Sequence, residues 1–397
     1  MVSKVGVPFA KKECCGCTVC YDICPTSAIS IETDEEGFVY PQINNEKCVQ
    51  CGLCTKVCAF SNKAIQREND KLPSSYVMKH SNQNVRMNST SGAVFVAVSD
   101  YILDNDGSVY GCVLDEKFQA VHIRAENKET RNLMCRSKYV QSNTKGIFSQ
   151  VEKDLNENKM VLFSGTGCQV DSLYSYLNYK KTDLSKLYTM DLICHGVPSP
   201  RIYEDFLRWT ERRYKGEITE FRFRDKIERG WDSHYESAVI NNRKYVTGIY
   251  RELFYTNCSL RPSCYNCKYT STKRCSDITI ADALGIKNKL PHFYDSTGVS
   301  LVLINNDKGQ EIFNKIKNNC FVEKVSLELM MQPNLKKASQ PKKDREEFWR
   351  LYEQGGIELL IKKYAPYSLV NKVFRRINFI ITKKKIRIER LNKKYNE

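Results

Sequence analysis

No run of 18 or more uncharged apolar residues occurs in the 397-residue chain, so the sequence offers no helix suited to spanning a bilayer. Met1 to Ala10 lacks the apolar core of a secretory leader, and Cys14 follows too closely for one to be cleaved off. These absences predict a cytoplasmic protein and remove the oxidising setting in which its 18 cysteines would pair as disulfides. Helix-turn-helix and base-reading motifs are missing too, so the net charge of +16 predicts no nucleic-acid partner. Half of that excess lies in the last 29 residues, where ten Lys or Arg face two Glu. This tail interleaves its cations with Phe374, Ile377, Phe379 and Ile381. It reads as an amphipathic basic helix, either solvated or in peripheral contact with the inner membrane face or an acidic partner.

What the chain does have is cysteine in the wrong place for disulfides: nine of the 18 fall within the first 58 residues. Cys14, Cys17, Cys20 and Cys24 follow C-x2-C-x2-C-x3-C with Pro25 next, and Cys48, Cys51, Cys54 and Cys58 repeat that spacing. A cubane takes three thiolates from one tight loop and its fourth from the other motif. The spacing therefore predicts two [4Fe–4S] clusters, one on Cys14, Cys17, Cys20 and Cys58, the other on Cys48, Cys51, Cys54 and Cys24. A doubled triplet with a trailing fourth cysteine suits tetrahedral zinc poorly. Ala59 stands where the first repeat has proline, and Cys15 reads as a bystander. Two such clusters make a wire, and a wire needs a terminus at which one-electron traffic becomes two-electron chemistry.

Beyond residue 66 the texture changes. Residues 67–88 are polar, carry Pro73 and Ser74-Ser75, and read as a linker. From Ser89 helical and strand patterns alternate: helices over Ala93–Leu103, Gly146–Glu157 and Gln169–Tyr179 and from Pro200, strands over Ser108–Leu114, Ala120–Ala125, Met160–Ser164 and Leu187–Cys194. The predicted fold class is α+β. A small ferredoxin-like dicluster domain (1–66) and the linker (67–88) precede a larger mixed α/β core (89–335) and a basic helical C-terminal region (336–397). Functional groups of such a core gather at the carboxyl ends of its strands.

Six landmarks carry a resemblance: Ser89-Thr90-Ser91-Gly92; Ser137-Lys138-Tyr139-Val140-Gln141-Ser142; Gly165-Thr166-Gly167-Cys168-Gln169; Cys194-His195-Gly196-Val197-Pro198-Ser199; Phe223-Arg224-Asp225-Lys226; and Arg261 to Cys267 with Ser276-Asp277-Ile278-Thr279 after it. Their order over residues 8–305 resembles the coenzyme F420 hydrogenase/dehydrogenase beta subunit family, including the fused ferredoxin domain many members carry. The resemblance implies FAD, a third [4Fe–4S] cluster, and hydride exchange between flavin and coenzyme F420 or a related two-electron acceptor. Mapped onto this chain, it implies Cys168, Cys194, Cys264 and Cys267 as ligands of the third cluster, and Ser91, Gly92, Lys138, Tyr139, Thr166 and His195 as flavin contacts. A structural zinc on Cys258, Cys264, Cys267 and Cys275 stands as the alternative for the third group. Cys112, Cys135 and Cys320 read as packing residues. Arg222, Arg224 and Lys226 read as an alternating basic strand suited to the polyanionic tail of F420.

One departure stands out: where the family commonly has Gly-Asp-Phe-Trp-Gly, this chain has Ala281-Asp282-Ala283-Leu284-Gly285, without either aromatic. No proton-transfer residue is nominated, because hydride exchange relies on proximity rather than on an acid or base. The expected partners are a redox protein or ferredoxin and a small two-electron acceptor. A non-catalytic subunit that supplies electrons to a separate reductase, in a setting such as surface polysaccharide synthesis, is the competing expectation.

Overall fold

The computed structural model describes residues 10–60 and 72–366. The tail predicted to be amphipathic lies outside the described residues. Among them, no helix is long and apolar enough to cross a membrane. The chain forms two compact units, one made of residues up to 204 together with 259–341, the other of 205–258 together with residues from 342 onward.

In the first unit, strands β1 (Ile29–Thr33) and β2 (Val39–Ile43) form an antiparallel hairpin beside the cysteine repeats. The main sheet has eight strands: β3 (Ser74–His80), β4 (Ser108–Leu114), β5 (Ala120–Ala125), β6 (Val161–Thr166) and β7 (Leu187–Leu192), and, past the second unit's β8 (Ile218–Arg222), β9 (Glu236–Ile240) and β10 (Arg243–Thr247), β11 (Ile278–Asp282), β12 (Ser300–Ile304) and β13 (Cys320–Val325). Their order is β13-β3-β12-β11-β7-β6-β4-β5. Four adjacent strands, β11, β7, β6 and β4, run parallel; β5, β12, β3 and β13 complete the sheet with antiparallel pairings. Val161, Leu162 and Phe163 of β6 are all buried, as expected of a parallel strand covered on both faces. The adjacent parallel strands β6 and β7 pair Thr166 with Leu192, so the turns that carry Cys168 and Cys194 leave the same edge of the sheet.

Two expectations about organisation are corrected. Residues 74–80, read as linker, are β3, inserted between β12 and β13 with Met78 opposite Ser300 on one side and Val322 on the other. A strand of Tyr76, Val77 and Met78 inside polar flanks is too short to announce itself. The cysteine module, moreover, is not a separate bead: Cys17, Val19, Ile23 and Val57 share one apolar cluster with Tyr110, Phe148, Phe163, Val170 and Leu173. Burying a side chain such as Val19 or Val57 contributes about 1.5–3 kcal/mol. Polar clamps reinforce the join. The Asp22 carboxylate accepts from Gly146 N–H (2.8 Å) and Phe148 N–H (3.1 Å), at the start of helix Ile147–Asn156, where the helix dipole favours an anion.

The second unit is built on β8, β9 and β10, all antiparallel, around Phe206, Phe221, Phe223 and Tyr250. The predicted basic strand is not one strand. β8 stops at Arg222, Arg224 donates to Trp231 O at 2.7 Å, and Lys226 is buried at the start of a short helix. The three cations therefore do not share a strand face.

Candidate functional site

The two cysteine repeats adopt the same backbone. Gly16 and Thr18 in the first have φ of 69° and 61°, and Gln50 and Gly52 in the second have 55° and 70°. Alternating left-handed residues between successive cysteines turn consecutive N–H groups toward one concave side, an anion-binding arrangement. Each repeat then makes a single helical turn, Val19–Asp22 and Leu53–Lys56. A cavity is lined by Cys14, Cys15, Cys17, Cys20 and Cys58 together with Gly16 and Phe60. It brings together the four cysteines expected for one cubane, drawn from both repeats, with Cys15 beside them. Desolvation raises the Cys14 and Cys20 thiols above their ordinary values, so holding them as thiolates calls for a strong counter-charge. In the second set, Cys51 and Cys48 act electrostatically on Cys54. Desolvation also raises Cys24, but the N–H groups of Ala28 and Thr26 outweigh it and the thiol lies below its ordinary value; Ala28 N–H reaches the sulfur at 3.3 Å.

The third group gathers at the carboxyl edge of β6 and β7. Cys168 lies in the first turn of helix Gly167–Lys180, whose N-cap Thr166 forms a capping box with Gln169. Thr166 Oγ1 lies 3.1 Å from the Cys168 sulfur. Gly196 N–H points at Cys194 Sγ (3.4 Å) and Val197 N–H at Cys264 Sγ (3.5 Å). Gly196 has φ of 120°, and a Cβ there would come within 2.9 Å of Leu260 Cδ1, which explains the glycine of the Cys-His-Gly turn. Cys264 sits in the 3-10 turn Pro262–Asn266 and Cys267 ends it. Cys194 and Cys264 each feel Cys267 and Cys168, and Cys264 also feels Cys194. Desolvation pushes Cys194 up to about 12 and Cys267 to about 11.

Two cysteines of the zinc alternative spend their thiols on backbone carbonyls. The Cys258 thiol donates to Thr256 O and Lys343 O, and the Cys275 thiol to Gly167 O at 3.4 Å. Among the described residues, no three His, Cys, Asp or Glu side chains are arranged to hold a single metal ion; a cubane draws its thiolates from wider apart than one tetrahedral ion does. Cys112, Cys135 and Cys320 lie elsewhere, on β4, after helix Lys128–Met134 and on β13.

Cys15, the ninth cysteine of the module, lies close to two of the cysteine sets. It lines the cavity beside Cys14 and Cys17, and both Cys17 and Cys168 act electrostatically on its thiol. Sequence reasoning missed three further residues here: Gln141, whose Nε2 donates to Cys15 O at 3.0 Å; Thr144, whose hydroxyl donates to Cys17 O at 2.8 Å; and Arg261. The only signal for them was membership of, or closeness to, two of the landmark motifs.

The residues expected at a flavin do not fit a phosphate contact as placed. The three protons of the Lys138 ammonium meet Leu133 O, Met134 O and Cys135 O at 2.8–3.0 Å, capping helix Lys128–Met134. Ser91 Oγ donates to Val299 O (2.6 Å) and Gly92 N–H to Ser300 Oγ (3.0 Å). A Cβ on Gly92 would lie 2.2 Å from Met78 O, so this glycine serves close strand packing. Thr166 is committed to its cap, while Tyr139 and His195 are half-buried. Of the departed aromatic pair, Ala283 is buried and Leu284 is 52% exposed.

Near Lys138, His122 stacks on Phe163 (5.7 Å, 18°) and its Nε2 lies 3.1 Å from Ser164 O. Nε2 therefore carries the proton of a neutral ring. Burial pushes His122 from 6.5 down to about 4. Its folded pKa lies below the unfolded one, so the associated stability is present above about pH 6.5 and lost as pH falls toward 4, on the order of 3 kcal/mol at most. The wild type is expected to lose thermal stability between pH 7 and pH 4.5 more steeply than His122→Gln, measured by circular dichroism. Parallel curves would remove His122 as the cause.

The cysteine module and the α/β core together define a protein whose [4Fe–4S]-type cysteine repeats are built into a mixed α/β core. Residues 13–62 match the 4Fe–4S dicluster domain, and residues 158–328 match the C terminus of the coenzyme F420 hydrogenase/dehydrogenase beta subunit. The chain thus carries a domain that matches that beta-subunit family, preceded by an N-terminal dicluster domain. A solved chain in the F420-reducing [NiFe] hydrogenase complex from Methanosarcina barkeri is similar at 15% identity and a TM-score of 0.48, over 71% of this chain and 93% of that one. A search of curated proteins finds no match.

Proposed function

We propose that this protein moves electrons between its two N-terminal clusters and a third [4Fe–4S] centre on Cys168, Cys194, Cys264 and Cys267, serving a two-electron acceptor of the deazaflavin class. The observation that carries this reading is contiguity: Arg261 donates to Cys14 O of one set at 2.6 Å while its own carbonyl accepts from Cys264 N–H of the other at 2.9 Å, within a single compact unit. When bound, such clusters supply one-electron transfer at potentials set by net charge and hydrogen bonds to sulfur. The chain's own part is to hold the thiols and aim N–H groups at them. Gly196 and Val197 do so at the third centre and Ala28 at Cys24, while Tyr269 and the cluster around Cys17 keep water away. The redox partner on the other side is a ferredoxin or a partner subunit.

A second reading, an electron-carrying adaptor without flavin, is favoured by a specific observation. Ser91, Gly92 and Lys138 spend their donors inside the chain, and the two aromatics of the family motif are replaced by Ala283 and Leu284. Anaerobic purification with iron, zinc and flavin analysis, followed by addition of coenzyme F420 and a reductant, tests both. About twelve irons per chain with FAD and reduction of F420 supports the first reading. About twelve irons without flavin supports the adaptor with its third centre. About eight irons and one zinc overturns the third centre.

A further inference from the structure

Arg261 is fully buried, at 0% exposure, and its guanidinium is spent on the cysteine module. Nε donates to Cys14 O (2.6 Å), one terminal nitrogen to Gln141 Oε1 (2.9 Å), and the other to Val39 O (2.9 Å) and to the Cys14 sulfur itself (3.5 Å). The Tyr40 and Phe38 rings lie 4.3 and 5.3 Å from its central carbon. Among the described residues no carboxylate pairs with it. A buried charge without an anion costs several kcal/mol, so the site is built for negative charge that the side chains around it do not supply. Four thiolates and an iron–sulfur core are net anionic, and each one-electron reduction adds a further negative charge.

We propose that Arg261 is the resident counter-ion of the cluster bound through Cys14, a positioning residue that raises that cluster's reduction potential relative to its pseudo-symmetric twin. The Coulomb attraction of a cation for the cluster grows as the cluster is reduced, and low surrounding polarity magnifies it. The residue matching Cys14 in the second set is Cys48, and among the described residues no charged side chain bonds to its sulfur. The same loop serves the third group. Arg261 O accepts from Cys264 N–H at 2.9 Å and Arg261 N–H donates to Val197 O at 2.9 Å, so the counter-ion of one centre and a thiol of the other are held three residues apart. The inference rests on the dicluster domain alone, and its failure leaves the third centre untouched.

The test is an EPR-monitored redox titration of the full-length, anaerobically reconstituted chain, wild type against Arg261→Gln and Arg261→Lys. With iron content unchanged, Arg261→Gln is expected to move one N-terminal cluster to a more negative midpoint potential and leave the other where it was. Arg261→Lys keeps the charge and is expected to fall between. Unchanged potentials in a fully loaded Arg261→Gln chain, or equal shifts in both clusters, overturn the proposal. Should Arg261→Gln bind less iron, wild-type protein labelled with guanidino-15N arginine decides: a 15N hyperfine coupling to one reduced N-terminal cluster that disappears in Arg261→Lys supports the counter-ion, and its absence overturns it.

Discussion

Replacing Cys17 by alanine is expected to lower the iron content by about four per chain, while Cys15→Ala, its neighbour two residues away, retains all of it. The contrast follows from position rather than residue type. Cys17 lines the cavity with Cys14, Cys20 and Cys58, its carbonyl is fixed by Thr144, and the left-handed residues Gly16 and Thr18 on either side set its direction. Cys15 lines that cavity too, but it falls outside the C-x2-C-x2-C-x3-C spacing, and Cys17 and Cys168 act electrostatically on its thiol. Because Cys17 shares a core with Val19, Val57 and Phe148, losing its cluster loosens the join between repeats and sheet. Cys51→Ala, at an exposed position, removes the same amount of iron without disturbing that core. Iron analysis with thermal unfolding of the three variants separates the cases. Full iron in Cys17→Ala would show that the repeats do not ligate as their spacing implies, and lost iron in Cys15→Ala would make Cys15 a ligand.

Legibility of the fold from sequence tracked the range of the interactions involved. Strands β4 and β5 were read with their observed limits, and the helix predicted over Gly146–Glu157 is present as Ile147–Asn156, because local periodicity and flanking glycines define them. The cysteine repeats were legible because covalent ligation imposes a spacing that survives in the chain. β3 was lost in a polar stretch, since its stability comes from pairing on both sides with strands more than 200 residues away. Lys138 looked like a phosphate ligand because an isolated lysine in a motif gives no hint that three carbonyls of the preceding helix await it. Arg261, Gln141 and Thr144 act on backbone carbonyls of residues more than 100 positions distant, a relation that spacing does not encode. The second unit, assembled from two separated segments, was likewise invisible to a reading that moved along the chain.

Asp191→Asn is expected to destabilise the first unit by about 3–5 kcal/mol, the cost of leaving a buried charge without its partner. Asp191, the penultimate residue of β7, is 0% exposed and accepts from Ser276 Oγ at 2.8 Å, from Thr279 Oγ1 at 2.6 Å and from Arg274. Arg274 in turn donates to Leu192 O at 3.0 Å and to Tyr269 O, so one ion pair ties the strand that leads to Cys194 to the segment that follows Cys267. Asparagine keeps the shape but removes the charge, leaving the guanidinium uncompensated beside two thiols of the third group, on which it acts electrostatically. The double variant Asp191→Asn with Arg274→Met removes both charges and is expected to recover part of the loss, a coupling that a double-mutant cycle measures. Tryptophan fluorescence is blind to this change, because Trp209, Trp231 and Trp349 all belong to the second unit. Hydrogen exchange of the peptides covering β7 and β11 is the suitable probe, since the two units need not unfold together. Protection within 1 kcal/mol of wild type in Asp191→Asn would mean that the strand ends are held by the Ser276, Thr279 and Asn305 hydrogen bonds without help from the ion pair; a loss confined to these peptides, with the N-terminal iron intact, would place the pair as the support on which the third cysteine group is mounted.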